Sequence, residues 1–162
     1  MLRRASVAVA VASAPSRSDV AAVTSTLDTT QGRVTIALDP DRAPWHVASL
    51  VALTRQGFYD GVSWHRVVPG FVVQGGDPTG SGWGGPGYTL PSEPSGFPYA
   101  HGTVGIADAG KDTGGSQFFV MHGLAPHLDA RYTVVGLVSD GQAAADALMV
   151  GDTITRATVV VE

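Results

Sequence analysis

The chain has 162 residues, of which 44% are hydrophobic and only 15% are charged, and this composition predicts one folded domain rather than a disordered segment. Its formal net charge of −4 gives no electrostatic basis for binding nucleic acid, and no apolar run approaches the roughly 18 residues that span a bilayer. The absence of cysteine excludes disulfides, thiol catalysis and thiolate metal sites.

Residues 1–22 precede the first predicted strand and have two interpretations. Arg3 and Arg4, an alanine- and valine-rich run, and the small residues of Ala12–Ala14 follow the order of a secretory signal, which would direct the protein to the periplasm or out of the cell. The apolar run is short, however, and this favours a flexible extension or a linker in a cytoplasmic protein. The sequence therefore leaves the compartment open and predicts a folded domain over residues 23–162.

The first predicted elements are a β-hairpin and a helix. Strand-like residues over Val23–Leu38, with Gln31-Gly32 as the turn, predict the hairpin. Asp39-Pro40-Asp41 ends the second strand. Pro44 suits the first turn of a helix and Gly57 suits the position just after its last turn, so we expect one helix between them.

The rest of the chain alternates between short β-like runs and glycine-rich loops. The runs are Val62–Val68, Phe71–Gln74, Thr103–Ala107, Gln117–Met121, Tyr132–Val138 and Ile154–Val161. A short second helix is predicted over Ala143–Leu148. Many short strands with only two helices indicate an antiparallel barrel or sandwich, and the strand count alone does not distinguish the two.

Two of these runs contain a polar residue that a packed core would not select. Arg66 lies between Trp64 and Val67, and Gln117 directly precedes two phenylalanines. Burial of an unpaired charge or amide costs free energy, so both residues are candidates for a site. Taken singly, Arg66 also fits a surface ion-pair partner and Gln117 also fits an amide at a strand end.

The segments around these two residues resemble the signature segments of the cyclophilins, a family of peptidyl-prolyl cis-trans isomerases. The matching motifs are Trp-His-Arg-Val-Val-Pro-Gly-Phe at 64–71, Gln-Gly-Gly-Asp at 74–77, Gly-Ser-Gln-Phe-Phe at 115–119, Leu-Asp at 128–129, and Tyr132. The glycine-rich stretch over residues 75–88 is similar to the bacterial branch of the family. The resemblance covers about Thr24–Glu162, nearly all of the chain outside the extension.

The resemblance implies a mainly β fold, namely a closed eight-stranded antiparallel barrel that is capped by two helices. It also implies an isomerase that acts on proline-containing peptides or unfolded protein segments, assists protein folding, and needs no cofactor or metal. We expect a monomer. The alternative is a proline-peptide binding module with little turnover, as an accessory domain of a larger protein; the presence of Arg66 favours the enzyme.

Rotation about an X-Pro bond is slow because the planar amide is conjugated, with a barrier of about 18–20 kcal/mol. A cation near the prolyl nitrogen stabilises the twisted state, in which that nitrogen becomes more basic. Arg66 occupies the position of the family's catalytic arginine, with Gln74 expected to orient it and Phe71 to act beside it. The substrate-binding positions implied by the resemblance are Val72, Gly82, Ala107, Asp108, Gln117, Phe119, His127, Leu128 and Tyr132.

Three of these positions depart from the family pattern. Val72 stands where methionine is common, which implies a shallower pocket floor, and Asp108 replaces a frequent asparagine. His127 stands where many eukaryotic cyclophilins carry a tryptophan whose indole N–H donates to the inhibitor ciclosporin, so we expect weak ciclosporin binding.

Other interpretations of the same residues fit poorly. The loop over residues 80–87 lacks the Gly-Lys-Ser/Thr ending of a phosphate-binding loop. Gly-Gly-Ser-Gln at 114–117 is not a nucleophile elbow, and the five histidines lack zinc-type spacing.

Overall fold

The computed structural model describes residues 22–162, so the predicted extension lies, apart from Ala22, outside the described residues. The described residues form eight strands, two α-helices and a short 3₁₀ helix. In chain order these are β1 (Val23–Thr29), β2 (Gly32–Leu38), α1 (Pro44–Arg55), β3 (Arg66–Val68), β4 (Val72–Gly75), β5 (Thr103–Ile106), β6 (Phe118–Met121), the 3₁₀ helix (Pro126–Leu128), β7 (Val134–Asp140), α2 (Gln142–Ala147) and β8 (Ile154–Val161). Within residues 22–162, neither α-helix is long and apolar enough to cross a membrane.

All eight strands belong to one curled antiparallel sheet, in the order β3-β4-β6-β5-β7-β2-β1-β8. The predicted hairpin is confirmed as β1 and β2. Its turn lies at Thr30-Gln31, one residue earlier than predicted, because Gly32 already pairs with Thr29 as the first residue of β2. Gly32 has a φ of +126°, a conformation that favours glycine.

Helix α1 has the predicted boundaries. Pro44 occupies its first turn, and Gly57, with a φ of +72°, follows Gln56 at the C-terminal end. Ala43 offers no capping side chain, and a distant carboxylate takes that role. Glu93 accepts hydrogen bonds from the Trp45 N–H at 3.0 Å, the His46 N–H at 3.0 Å and the His46 Nδ1 at 2.6 Å. Its negative charge therefore lies at the positive end of the helix dipole.

The β-like run over Val62–Val68 is shorter as a strand than predicted. Only Arg66–Val68 joins the ladder, and Ser63 forms an isolated bridge with Thr153. The reason is that neighbouring backbone groups bond to the chain around the start of β8: the Gly61 N–H donates to the Ile154 carbonyl at 2.7 Å, and the Trp64 N–H donates to the Asp152 carbonyl at 2.8 Å. The segments next to the two edge strands are thereby joined.

The sheet separates two apolar clusters, and β6 shows how. Phe118 and Val120 pack in the main core with α1, whereas Phe119 and Met121 pack in a smaller cluster on the other face. Successive side chains of a strand point to opposite faces, so the sequence Phe-Phe-Val-Met contributes two side chains to each cluster. The smaller cluster is the floor of the candidate site.

Candidate active site

A row of four paired residues crosses the sheet on the face of the smaller cluster. Arg66 of β3 pairs with Gln74 of β4, Gln74 pairs with Phe119 of β6, and Phe119 pairs with Gly105 of β5. Directly paired residues project to the same face, so a guanidinium, an amide and a phenyl ring lie side by side. Arg66 is exposed, and its Nη1 donates to Gln74 Oε1 at 3.3 Å.

A cavity of about 210 Å³ lies beside this row. Its lining residues are Arg66, Phe71, Val72, Gln74, Ala107, Asp108, Phe119, Leu128 and Tyr132. The floor is apolar, because Val72, Phe119 and Leu128 are buried, and the polar groups lie at the rim. The cavity can therefore hold a small apolar ring while a polar backbone crosses its mouth.

The Phe119 ring at the floor is held by neighbours on several sides. It stacks on Tyr99 with a centroid distance of 5.6 Å and meets the ring of Tyr132 edge-on at 6.0 Å. Gly105 leaves room for it, since a Cβ at that position would lie 2.5 Å from Phe119 Cζ and 2.7 Å from the Tyr99 hydroxyl. Phe119 is thus fixed by aromatic contacts that the sequence pattern did not predict.

Gln117 connects the row to the glycine-rich loop. Its Oε1 accepts a hydrogen bond from Gln74 Nε2 at 3.1 Å, and its Nε2 donates to the carbonyls of Gly82 and Gly84, both at 2.9 Å. Both amide hydrogens are therefore used within the protein. Only the second lone pair of Oε1 is left for a ligand.

A larger cleft of about 770 Å³ continues from the cavity, with Gln74, Ala107 and Asp108 shared by the two. We call it the loop cleft, because the loop over residues 82–89 forms one wall and residues 107–109, 113 and 115–117 form much of the rest. Gly82 lies in this wall. Trp83, also in the wall, is 89% exposed. An extended peptide could therefore pass from the cavity into the loop cleft.

His127 lies outside the cavity lining but contacts one of its members. It is exposed on the 3₁₀ helix, and its ring stacks on Phe71 with a centroid distance of 5.8 Å and an interplanar angle of 23°. His127 thus extends the apolar edge of the cavity on the side of Phe71.

Comparison with known proteins assigns this arrangement to a family. The family model described as "Cyclophilin type peptidyl-prolyl cis-trans isomerase/CLD" matches residues 24–161. The chain belongs to the cyclophilin family. It is a peptidyl-prolyl cis-trans isomerase of cyclophilin type, and the alternative of a binding module with little turnover is not favoured.

Relatives of this cyclophilin are similar in sequence and in fold. It is 47% identical over 129 residues to peptidyl-prolyl cis-trans isomerase B of Bacillus subtilis, covering 78% of this chain and 90% of that protein. It is 42% identical over 146 residues to peptidyl-prolyl cis-trans isomerase A of Mycobacterium tuberculosis, covering 77% of this chain and 78% of that protein. A Cryptosporidium parvum cyclophilin of known structure has a TM-score of 0.81 at 25% identity, covering 87% of this chain and 99% of that one. The structure of the same parasite protein in the presence of the dipeptide Ala-Pro has a TM-score of 0.78.

The fold brings the predicted site residues of this cyclophilin together to different degrees. Every residue that lines the cavity was predicted as a site residue, whereas Gly82 and Gln117 lie in the loop cleft and His127 lies beside Phe71. Two supporting residues were missed, Tyr99 beneath Phe119 and Asp77 beneath the glycine-rich loop. Asp77 ends the Gln-Gly-Gly-Asp motif, and a carboxylate next to two glycines was the available signal.

Proposed function

We propose that this isomerase holds the proline ring of its substrate in the cavity and catalyses rotation with Arg66. The observation that carries the proposal is the cross-strand row, which places a permanently charged guanidinium at the rim of a cavity whose floor is apolar. With the ring on Phe119, the prolyl nitrogen lies at the rim, and Arg66 can donate to it as it becomes pyramidal. This interaction grows as the amide twists, so it lowers the barrier rather than only strengthening binding.

The apolar floor contributes in a second way. Val72, Phe119 and Leu128 would exclude water from the ring and from one side of the amide. A planar amide is more dipolar than a twisted one, so loss of water on that side destabilises the planar states more. Holding the ring while the preceding carbonyl rotates is the positional part of the mechanism.

The magnitudes show that Arg66 does not act alone. A hydrogen bond to a charged group contributes about 1.5–3 kcal/mol. An acceleration by five decades would need about 7 kcal/mol of differential stabilisation. We assign the remainder to the apolar cavity and to anchoring of the peptide main chain along Ala107 and Asp108, with Gln117 accepting from the substrate backbone through its free lone pair.

Three finer features belong to the same proposal. The bonds between residues 61–64 and 151–154 support a sheet that is closed into a barrel. The enzyme acts as a monomer, because a cavity formed by residues 66–132 of a single chain does not need a second copy. His127, beside Phe71, makes ciclosporin a weak inhibitor, because imidazole covers less apolar surface than indole.

The test is a protease-coupled isomerisation assay on a short X-Pro peptide. We expect Arg66→Ala to lower kcat/KM at least tenfold, about 1.4 kcal/mol of transition-state stabilisation. Arg66→Lys should recover little, because a point charge lacks the forked donor geometry. Arg33→Ala, which removes an exposed arginine paired with Asp28 on the β1–β2 hairpin, is the matched control and should retain full activity. Wild-type turnover in folded Arg66→Ala would overturn the proposal.

A further inference from the structure

Asp77 is a buried carboxylate outside the cavity. No part of it is exposed, and both oxygens accept several hydrogen bonds from the loop that follows. Oδ1 accepts from the backbone N–H and the hydroxyl of Thr79, both at 2.8 Å; Oδ2 accepts from the N–H of Gly82 at 2.6 Å and of Gly84 at 3.1 Å. Burial by itself would raise the pKa of Asp77, but the bonds from Thr79, Gly84 and Gly82 outweigh it and hold the pKa well below its usual range. Asp77 is thus an anion at neutral pH.

The two glycines that donate to Asp77 also contact Gln117. Their carbonyls are the acceptors for Gln117 Nε2 at 2.9 Å. Close approach to the carboxylate requires glycine at position 84, because a Cβ there would lie only 2.0 Å from Asp77 Oδ1. Asp77 therefore fixes the segment that orients Gln117.

The hydrogen bonds from Arg66 to Asp77 all run in one direction. Arg66 donates to Gln74, and Gln74 donates to Gln117. Gln117 donates to the carbonyls of Gly82 and Gly84, and the N–H groups of these glycines donate to Asp77. We call this series the hydrogen-bond chain.

Arg66 at one end and the carbonyls of Gly82 and Gly84 at the other determine the orientation of the two glutamine amides. Asp77 in turn holds these glycines through their N–H groups. A guanidinium only donates and a backbone carbonyl only accepts, so reversal of either glutamine amide would oppose two donors or two acceptors. The side-chain hydrogen bonds from Arg66 through Gln74 and Gln117 to the loop carbonyls polarise one another, which strengthens each of them, and Asp77 acts on them by positioning the loop backbone. The chain therefore couples a buried anion to an exposed cation across the site.

We propose that Asp77 is a positioning residue of this isomerase, which fixes the Arg66 guanidinium at the cavity rim through the glycine loop, Gln117 and Gln74. The inference rests on the proposed catalytic role of Arg66. It differs from a purely structural role for Asp77, in which the carboxylate would stabilise the loop without affecting Arg66.

The first experiment compares Asp77→Asn with Thr79→Ala. Asp77→Asn keeps the size of the side chain but removes the charge that accepts from Gly82 and Gly84. We expect kcat to fall about tenfold while KM changes by less than about twofold, because the lost interaction acts on the transition state. Thr79→Ala removes one hydrogen bond to Oδ1 but leaves those to Oδ2, so it should keep kcat within about twofold of wild type. Equal losses of kcat in the two folded variants would overturn the inference.

A double-mutant cycle separates positioning from loop stability. In the Arg66→Ala and Gln117→Ala backgrounds, Asp77→Asn should change kcat by less than about twofold, because the hydrogen-bond chain is already broken in both. If Asp77→Asn lowers kcat by its full factor in both backgrounds, Asp77 acts independently of Arg66 and the inference fails. That result would leave the proposed function intact, since it is tested by Arg66→Ala alone.

A measurement on the wild-type protein keeps the inference testable if Asp77→Asn does not fold. The side-chain amide hydrogens of Gln117 should exchange with solvent at least about tenfold more slowly than those of the exposed Gln56, because both are donated to loop carbonyls. Equal exchange rates would show that the hydrogen-bond chain does not persist in solution.

Discussion

Truncation of Phe119 tests whether the smaller cluster is a binding floor or only a second core. Phe119 and Phe118 are neighbours in β6, with exposures of 5% and 4%, and they point to opposite faces. Leucine at either position has three fewer side-chain carbons, so each substitution should cost about 2 kcal/mol of unfolding free energy at about 0.8 kcal/mol per carbon. The two variants are therefore matched in stability.

The two variants should differ in peptide binding. Phe119→Leu removes part of the proposed contact with the proline ring, and we expect about five- to tenfold weaker affinity, or about 1–1.4 kcal/mol. Phe118 packs against Tyr59 and Trp64 in the main core, so Phe118→Leu should leave the affinity of the folded protein for the peptide unchanged. Urea denaturation gives the stabilities, and NMR titration with an X-Pro peptide gives the affinities. Equal affinities in the two variants would refute the placement of the ring on Phe119.

Three further results are expected. Ciclosporin should inhibit the wild type weakly and His127→Trp more tightly, because indole adds apolar area and a fixed N–H donor; equal inhibition constants would show that His127 does not border the ligand. Deletion of residues 1–21 should leave activity and Tm nearly unchanged, since this segment lacks hydrophobic periodicity, and a loss of many degrees in a thermal melt would contradict this. Burial of Glu93 would raise its pKa, but its hydrogen bonds to His46 and Trp45 outweigh burial and lower the pKa in the folded state. Glu93 therefore stabilises the fold at pH values above its unfolded pKa of about 4.3. This stabilisation is lost as the pH falls through the lower pKa of the folded state. Glu93→Gln should therefore lower the unfolding free energy by about 1–3 kcal/mol at pH 7, as measured by urea denaturation. The difference in unfolding free energy between wild type and variant should shrink below about pH 4, and a difference that does not depend on pH would contradict the role of Glu93.

The elements predicted well from sequence are those whose signals are local. Pro44 and Gly57 mark the ends of α1 within one stretch of chain, and the β1–β2 hairpin depends on residues a few positions apart. The start of β3 was predicted wrongly because the partners of Gly61 and Trp64 lie near residue 153, about 90 positions away in the chain. Hydrophobic periodicity depends on nearby residues and does not predict hydrogen-bond partners that are this distant in the chain.

The residues of the candidate site divide in the same way, into those with a signal in the sequence and those that depend on long-range contacts. Arg66 and Gln117 were identified because a polar residue in an apolar run is unusual, and the remaining site residues came from the resemblance to cyclophilins. The contacts of Tyr99 and Asp77 depend on tertiary packing: the first lies under Phe119, and the second binds a loop that also contacts Gln117. No local pattern specifies these contacts, so only the structure reveals them.

We expect Arg66 to stabilise the twisted state of the substrate rather than to contribute to substrate binding. Two-dimensional exchange NMR on a proline peptide, at saturating and at limiting enzyme, measures the rate of isomerisation on the enzyme separately from the dissociation constant. For Arg66→Ala the on-enzyme rate should fall at least about tenfold, while Kd stays within about threefold of wild type. An unchanged on-enzyme rate with a weakened Kd would contradict the claim and would make Arg66 a binding residue.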